Sequence, residues 1–196
     1  MNNELMLDVG QANEFKLACR REGLTNEDIK ILCERRGLLG QFRDVLLNRS
    51  EIKPIEHLVD FDTPPSIPQG WTILPDAEQL PARMKGKMKF DPKKVGLHLD
   101  NGQKNGKVIQ GNDLRKKLEK VPVFGAQLLD FLLENPHLIP EEWKGKAVFF
   151  WGTIYRDTVG DLYVRCLGWH GDRGYWDYHW LDYDWSGNDP SAVLAN

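Results

Sequence analysis

The stretch that decides the fold is residues 143–185, WKGKAVFFWGTIYRDTVGDLYVRCLGWHGDRGYWDYHWLDYDW. It holds six of the seven tryptophans and all five tyrosines of the 196-residue chain. Aromatic side chains at this density build a core or form a binding surface, because each one covers a large apolar area wherever it packs. The sequence leaves both alternatives open.

Three strands are predicted within this stretch. Ala147 to Tyr155 is a continuous apolar run, Leu162 to Trp169 returns after the turn Asp-Thr-Val-Gly, and Tyr175 to Leu181 follows a second turn. The expected result is an antiparallel meander. The third strand alternates, with Trp176, Tyr178 and Trp180 on one face.

The first strand is apolar on both faces, which is typical of a strand at the centre of a sheet. Strict alternation divides its side chains into two sets: Phe149, Trp151, Thr153 and Tyr155, and on the other face Val148, Phe150 and Ile154. The broad apolar stripe of the helix predicted over Ala126–Leu133 is expected to cover this sheet. A shorter strand is predicted around Val95–Leu99.

The chain before this region divides in two. Residues 1–60 show three short amphipathic helical patterns, which predict a small helical bundle. Residues 61–70, FDTPPSIPQG, hold three prolines and are interpreted as a linker. Residues 71–196 then form an α+β domain. The predicted fold class is α+β: a small N-terminal helical bundle, followed by an antiparallel three- to five-stranded sheet packed against one or two helices.

Bulk composition excludes several protein classes. Apolar residues at 41% and charged residues at 28% are typical of a soluble globular protein. The start of the chain lacks a secretory pattern, and three cysteines without a CxxC pair disfavour a disulfide framework. A cytoplasmic protein without a cofactor and without membrane association is expected. The oligomeric state is left open.

The net charge of −3 conceals a basic segment. Residues 81–120 carry 12 Lys and Arg against 4 Asp and Glu, whereas residues 1–80 carry 9 against 14. Acidic flanks can neutralise such a segment within the fold, or it can form an anion-binding stripe. The second alternative predicts a nucleic-acid-binding protein, with adjacent aromatic residues stacking on bases. Its candidate residues are Lys104, Lys107, Arg115, Lys116 and Lys117.

The third predicted strand and the tail after it carry the first hypothesis, a non-catalytic binding domain with an unknown ligand or protein partner. Trp, Tyr and Arg dominate the binding energy of protein interfaces, because they give large contact areas at low entropic cost. The candidate ligand- or partner-binding residues are Trp176, Tyr178, Trp180, Arg173 and Trp185.

Catalysis finds weaker support. An unrecognised hydrolase remains an alternative because Asp177, Asp182 and Asp184 lie among rings that could stack on sugars. No serine or cysteine lies in a nucleophile pattern, so no catalytic residue is assigned. A metal site would use residues on either side of one turn, although they lack HxH or HExxH spacing. Its weak candidates are His170, His179, Asp172 and Asp177.

Several motifs together resemble a family of uncharacterised bacterial proteins. They are GQKNGKVIQGNDLRKKLE, LLENPHLIPEEWKGK, FFWGTIYRDTVGDLYVR and the closing DPSAVLA. The similarity covers most of residues 50–196, and FFWGTIYR is its most specific part. No activity, cofactor or catalytic residue comes with this resemblance, so it implies a defined fold and no particular function.

Overall fold

The computed structural model of the protein describes residues 5–53, 55–171 and 173–195. The chain forms two compact units, residues 1–55 and residues 56–196. The first unit is helical and the second mixes helices with strands, so the α+β class is confirmed. The boundary precedes the Pro-rich segment, which therefore belongs to the second unit.

The first unit consists of α1 (Val9–Arg21), α2 (Asn26–Glu34) and α3 (Leu38–Leu46). Thr25 caps α2, since its hydroxyl accepts from the Asp28 amide while the Asp28 carboxylate accepts from the Thr25 amide. None of the described residues of these helices is buried. The three predicted helices are present, but they lack the buried core that a helical bundle requires.

The second unit begins with five short strands. They are β1 (Leu58–Asp60), β2 (Thr72–Ile73), β3 (Lys87–Lys89), β4 (Val95–His98) and β5 (Ile109–Gln110). Two helices follow, α4 (Gly111–Lys117) and α5 (Ala126–Glu134). The last strands are β6 (Val148–Arg156), β7 (Leu162–His170), β8 (Arg173–Trp180), β9 (Asp184–Trp185) and β10 (Ser191–Leu194).

The main sheet has six strands in the order β4-β10-β6-β7-β8, with β2 also paired to β6. The predicted meander is its β6-β7-β8 half, and both of its strand pairs are antiparallel. The predictions of at most five strands and of a purely antiparallel sheet were wrong. The C-terminal β10 inserts between β4 and β6, and it pairs in parallel with β6. Four residues near the end of a chain give too short a pattern to reveal that insertion.

Both faces of this sheet are covered. On one face, α5 packs with Phe124, Phe150 and Leu167 in one apolar cluster. On the other face, Leu114 and Leu118 pack with Trp151 and Val164 in a second cluster. Every residue of β6 from Val148 to Tyr155 is buried, which confirms its predicted central position.

A β-bulge in β6 changes the predicted alternation of its side chains. The register with β7 shifts between Phe149 and Ile154. As a result Thr153 bonds the Ala126 amide on the α5 face, whereas Ile154 packs with Phe149 on the other face. The bulge surrounds Gly152, where an added Cβ would lie 2.6 Å from the Gly125 nitrogen. Only glycine permits this close approach of two backbones.

The Pro-rich segment is integral to the second unit, so its interpretation as a linker was wrong. Phe61 is buried and stacks on Phe124 at 5.6 Å between ring centroids. The Ser66 amide donates to Asp130 Oδ2 of α5 at 2.7 Å, and the Ser66 carbonyl accepts from the Tyr155 hydroxyl at 3.0 Å. Prolines keep this segment out of helix and ladder, and side-chain contacts hold it against the sheet instead.

Candidate functional site

Five aromatic side chains gather on the α5 face of the β7-β8 hairpin. We call this set the aromatic face: Trp71, Tyr163, Trp176, Tyr178 and Trp180. Trp71 stacks on Tyr163 at 4.6 Å between centroids and meets Tyr178 edge-on at 5.0 Å. Tyr163 also lies 5.4 Å from Tyr178 and 6.2 Å from Trp180. These separations lie in the range of favourable aromatic pairs, so the rings support one another as a continuous surface.

Exposure within this surface is greatest at two residues of β8. Trp176 is 43% exposed and Tyr178 is 47% exposed, whereas Trp71, Tyr163 and Trp180 are half-buried. Strand β8 lies at the end of the sheet order and pairs with β7 alone among the described strands. The predicted shared face of Trp176, Tyr178 and Trp180 is confirmed by their pairing opposite Leu167, Arg165 and Tyr163.

Trp185, a predicted binding residue, does not belong to the surface. It is fully buried and contacts Phe149 and Trp151 at 4.4 and 4.7 Å between centroids. The physical reason is β9, which pairs with β5 and returns the tail to the second apolar cluster. The prediction that Trp185 is available to a ligand was therefore wrong.

Arg173 was predicted to join the same interface, and the structure places it on the other face. Arg173 lies opposite His170 at the start of β8, and Trp176 lies opposite Leu167. Because three positions separate them on a strand, their side chains project from opposite faces. Both residues nevertheless line one cavity of about 610 Å³ at the strand edge, together with Leu133, Ile139 and Trp169.

A buried ion pair lies beneath the aromatic face. The Arg165 side chain is 3% exposed, and its Nη2 lies 3.0 Å from Asp130 Oδ1. Its Nη1 donates to the Ser66 carbonyl at 3.0 Å. The guanidinium carbon lies 5.0 Å from the centroid of the Trp176 ring, within cation–π range. One arginine of β7 thus joins α5, the Pro-rich segment and the most exposed tryptophan.

Two tyrosine hydroxyls, that of Tyr155 beside this ion pair and that of Tyr163 in the aromatic face, stay protonated. Burial raises the pKa of Tyr155 to about 12, although the nearby Arg165 opposes the shift. Desolvation and the negative charge of Asp157 also raise the pKa of Tyr163. Both groups therefore act as neutral hydrogen-bonding side chains and not as bases at physiological pH.

The acidic flanks neutralise part of the basic segment. Lys89 pairs with Glu56 at 2.7 Å, Lys87 with Asp60 at 3.4 Å, and Arg83 with Asp76 at 2.9 Å. Each of these carboxylates belongs to the acidic first 80 residues. Ion pairs with the acidic flank thus engage three of the twelve cations of the basic segment.

The five predicted nucleic-acid-binding residues divide between a loop and a helix. Arg115 donates to the Glu78 carbonyl, and Lys116 pairs with Asp113 at 2.9 Å. Arg115 and Lys116 line a cavity of about 660 Å³, whose lining also includes Arg83 and Lys85. Lys117 ends α4, while Lys104 and Lys107 belong to the loop before β5 and do not line that cavity.

The weak metal candidates do not converge. His179 pairs across the ladder with Val164, six positions from His170 on β7, which places the two histidines about 20 Å apart. His179 Nε2 lies 3.2 Å from the Asp184 carbonyl and its ring packs on Trp185. Asp177 accepts from the Tyr178 amide. Asp172 lies outside the described residues. Among the described residues, no group of three or more His, Cys, Asp or Glu side chains could hold a metal ion.

Two of the three carboxylates considered for hydrolysis, Asp177 and Asp182, accept hydrogen bonds within the fold, as does Asp157 in the β6-β7 turn. Asp182 accepts from the Asn112 side chain at 2.6 Å, which connects α4 to the end of β8. Asp157 accepts from the amides of residues 159, 160 and 161, an arrangement typical of a turn. Desolvation and the neighbouring Asp157 and Asp182 raise the pKa of Asp161. Asp177 belongs to the face opposite Trp176, so it does not share the stacking surface.

Sequence reasoning missed three contributors to the site: Trp71, Arg165 and the cavity beside Trp176. Trp71 precedes a two-residue strand, a pattern too short to assign its face. Arg165 did carry a signal, because it interrupts an apolar strand between Val164 and Cys166. A charge at the centre of a buried strand requires a partner, and Asp130 is the acidic residue of the predicted covering helix.

Comparison of the chain with family models, curated proteins and solved structures gives no match. The resemblance carried by FFWGTIYR and its neighbouring motifs therefore stays a prediction. Among the described residues, the structure contains no helix with the length and apolar character needed to span a bilayer. Fold and site geometry are thus the basis for assigning a function.

Proposed function

We propose that the C-terminal unit is a non-catalytic interaction domain that binds a protein partner through the aromatic face. The observation that supports this most is the exposure of Trp176 at 43% and Tyr178 at 47%, next to the free edge of the sheet. Other large rings of the C-terminal aromatic stretch, including Trp151 of β6 and Trp185 of β9, are fully buried. Two exposed neighbouring rings provide apolar area that a partner can desolvate.

The aromatic face is also held in place before a partner arrives. Trp71 and Tyr163 pack against Tyr178 from beneath, and Arg165 lies against Trp176. Arg165 is itself fixed by Asp130 and by the Ser66 carbonyl. Side chains that are already ordered lose less conformational entropy on binding, so more of the contact energy contributes to affinity.

The two alternatives receive less support from the same contacts. Nucleic-acid binding requires free cations that converge, yet ion pairs to Glu56, Asp60 and Asp76 engage three cations of the basic segment. Hydrolysis requires two carboxylates that flank a substrate, yet Asp177 and Asp182 accept hydrogen bonds within the fold. The aromatic face needs no such rearrangement to bind.

The test uses a phage-displayed library of random peptides, selected on the immobilised wild-type protein. Peptides that enrich are expected to lose affinity about tenfold or more for a Trp176→Ala variant, because a central tryptophan contributes as a hot spot. Tyr178→Ala is expected to weaken the same peptides. Affinity is measured by biolayer interferometry with synthetic versions of the enriched peptides.

Val159→Ala provides the matched control, because Val159 is 79% exposed on the β6-β7 turn and lies outside the aromatic face. It should bind the peptides as the wild type does, and all variants should keep the wild-type circular dichroism spectrum. Enriched peptides that bind Trp176→Ala and Tyr178→Ala unchanged would contradict the proposal. A selection without enrichment would contradict it as well.

A further inference from the structure

Strand β8 forms one long edge of the main sheet, and no strand in the described part of the chain pairs with that edge. Its eight residues pair with β7 in an unbroken register from Tyr163↔Trp180 to His170↔Arg173, and with no other described strand. The strand contains neither lysine nor proline, and it has no bulge. Proteins usually protect an edge of this kind with such features, because free N–H and C=O groups recruit another strand.

The direction of the free backbone groups follows from one hydrogen bond. The Tyr178 amide donates to its neighbour's carboxylate, Asp177 Oδ1, at 2.8 Å. That amide therefore points away from β7. Since the direction alternates along an antiparallel strand, the backbone groups of Gly174 and Trp176 also point to the free edge. Added strands must accordingly pair through these even-numbered positions.

We propose that this edge pairs with a second copy of the chain, β8 against β8 in antiparallel orientation, with the two-fold axis at Tyr175. The inference concerns the strand edge and needs no ligand of the aromatic face, although the dimer and such a ligand would compete for Trp176, which belongs to both surfaces. In this register Arg173 lies opposite Asp177 of the other copy, and the reciprocal pair repeats the contact. The self-complementary charges are the reason for choosing a second copy as the occupant.

Neighbouring registers lack this complementarity. Moving the axis to Trp176 places Arg173 opposite the half-buried His179, and moving it to Asp177 places two carboxylates opposite each other. With the axis at Tyr175, the hydrogen-bonded pairs join Gly174 to Trp176, both of which have outward backbone groups. The backbone direction requires even-numbered positions to pair with one another, which all three registers satisfy, and the charges select the register with its axis at Tyr175.

The α5 face of the sheet, which is opposite the face that carries Arg173 and Asp177, also fits a second copy of the chain. Gly174 has no side chain and borders the cavity of about 610 Å³ lined by Leu133, Ile139 and Trp169. In the proposed register the Trp176 ring of the second copy lies opposite Gly174 and projects toward this cavity. Burial of that ring would remove from water an apolar surface that is 43% exposed in the single chain.

The test measures oligomeric state by sedimentation velocity over a concentration series. The wild type is expected to form a dimer as concentration rises. Asp177→Arg places two arginines opposite each other at both ends of the ladder, and Arg173→Asp places two aspartates there. Each variant alone should shift the dimer toward monomer by at least tenfold in dissociation constant. An equimolar mixture should recover the dimer, because each Arg then meets an Asp.

A cross-linking variant tests the register in the full chain, with Cys19→Ser and Cys33→Ser introduced to remove its unburied cysteines. Directly opposed residues at a non-hydrogen-bonded pair lie about 4.5 Å apart between Cα atoms, close enough for a disulfide. Tyr175→Cys should therefore cross-link on oxidation, whereas Arg173→Cys on the same strand and face should not. A monomeric wild type at all concentrations overturns the proposal. So does a dimer that is indifferent to both charge variants, or a cross-link formed only by Arg173→Cys.

Discussion

Strands β6 and β8 belong to one sheet and are both rich in aromatic residues, but the rings of β6 are buried and two rings of β8 are exposed. Phe149, Phe150 and Trp151 of β6 are at most 2% exposed, whereas Trp176 and Tyr178 of β8 are 43% and 47% exposed. β6 has strands on both sides and a covering layer on each face, whereas β8 has one neighbouring strand among those that the structure describes. Position within the sheet, and not aromatic content, decides which rings form the core and which can bind.

Strand β7 lies between β6 and β8, and the transition from buried to exposed side chains occurs on it. Arg165 extends from β7 to the buried Asp130 contact and at the same time lies against the exposed Trp176. The sheet therefore has three groups of residues: a packed centre, an ion pair that supports the edge, and an exposed edge. Changes in the ion pair and in the packed centre should lower the free energy of unfolding by different amounts.

The largest effect is expected from Asp130→Ala. Loss of this carboxylate leaves the buried Arg165 guanidinium without its ionic partner and the Ser66 amide without its acceptor. Removing one member of a buried pair costs about 3–5 kcal/mol in the free energy of unfolding. Chemical denaturation monitored by tryptophan fluorescence measures this change.

Glu78→Ala is the matched control, because Glu78 pairs with Arg156 at 2.9 Å while both side chains remain more than 40% exposed. Exposed pairs contribute about 0–1 kcal/mol. Equal losses for Asp130→Ala and Glu78→Ala would show that the Arg165 pair is not a buried support for the edge.

A smaller effect is expected from Gly152→Ala at the bulge of β6. The new methyl group would lie within 3 Å of the backbone of Phe124 and Gly125, so the backbone must shift. Overpacking of this kind costs about 1–3 kcal/mol. Denaturation under the same conditions gives the loss.

Gly96→Ala in β4 tests whether the loss at Gly152 comes from crowding and not from glycine replacement in general. Atoms near Gly96 lie at 3.6 Å or beyond, an ordinary contact distance. The unfolding free energy of Gly96→Ala should stay within about 1 kcal/mol of the wild type, since no backbone atom must move. A Gly152→Ala variant as stable as Gly96→Ala would show that the close backbone approach at the bulge does not contribute to the packing of the sheet centre.

Much of the second unit could be predicted from local pattern. The bounds of β6, β7 and α5 agree with their predictions to within one residue at each end, because long apolar runs and flanking turn residues define them. The alternating faces of β8 were also predicted correctly. The face of Thr153 was not, since a bulge at a glycine depends on a backbone 27 residues away and leaves no periodic signal.

The remaining errors concern contacts between distant parts of the chain. Trp185 is buried because β9 pairs with β5, and the Pro-rich segment is anchored because Ser66 meets Asp130. Neither contact can be read from the residues on either side of it. The predicted helical bundle failed for a similar reason, since no described residue of α1, α2 or α3 is buried. Amphipathic spacing predicts a helix but does not show that its apolar side finds a partner.

The most direct test of the contrast between centre and edge is hydroxyl-radical footprinting of the native protein, read by mass spectrometry. It should be done at a concentration low enough to keep the chain monomeric. Trp176 and Tyr178 should be oxidised rapidly, whereas Trp143, Trp151 and Trp185, which are at most 1% exposed, should be strongly protected. Protection of Trp176 equal to that of Trp151, or rapid oxidation of Trp185, would contradict the contrast between centre and edge.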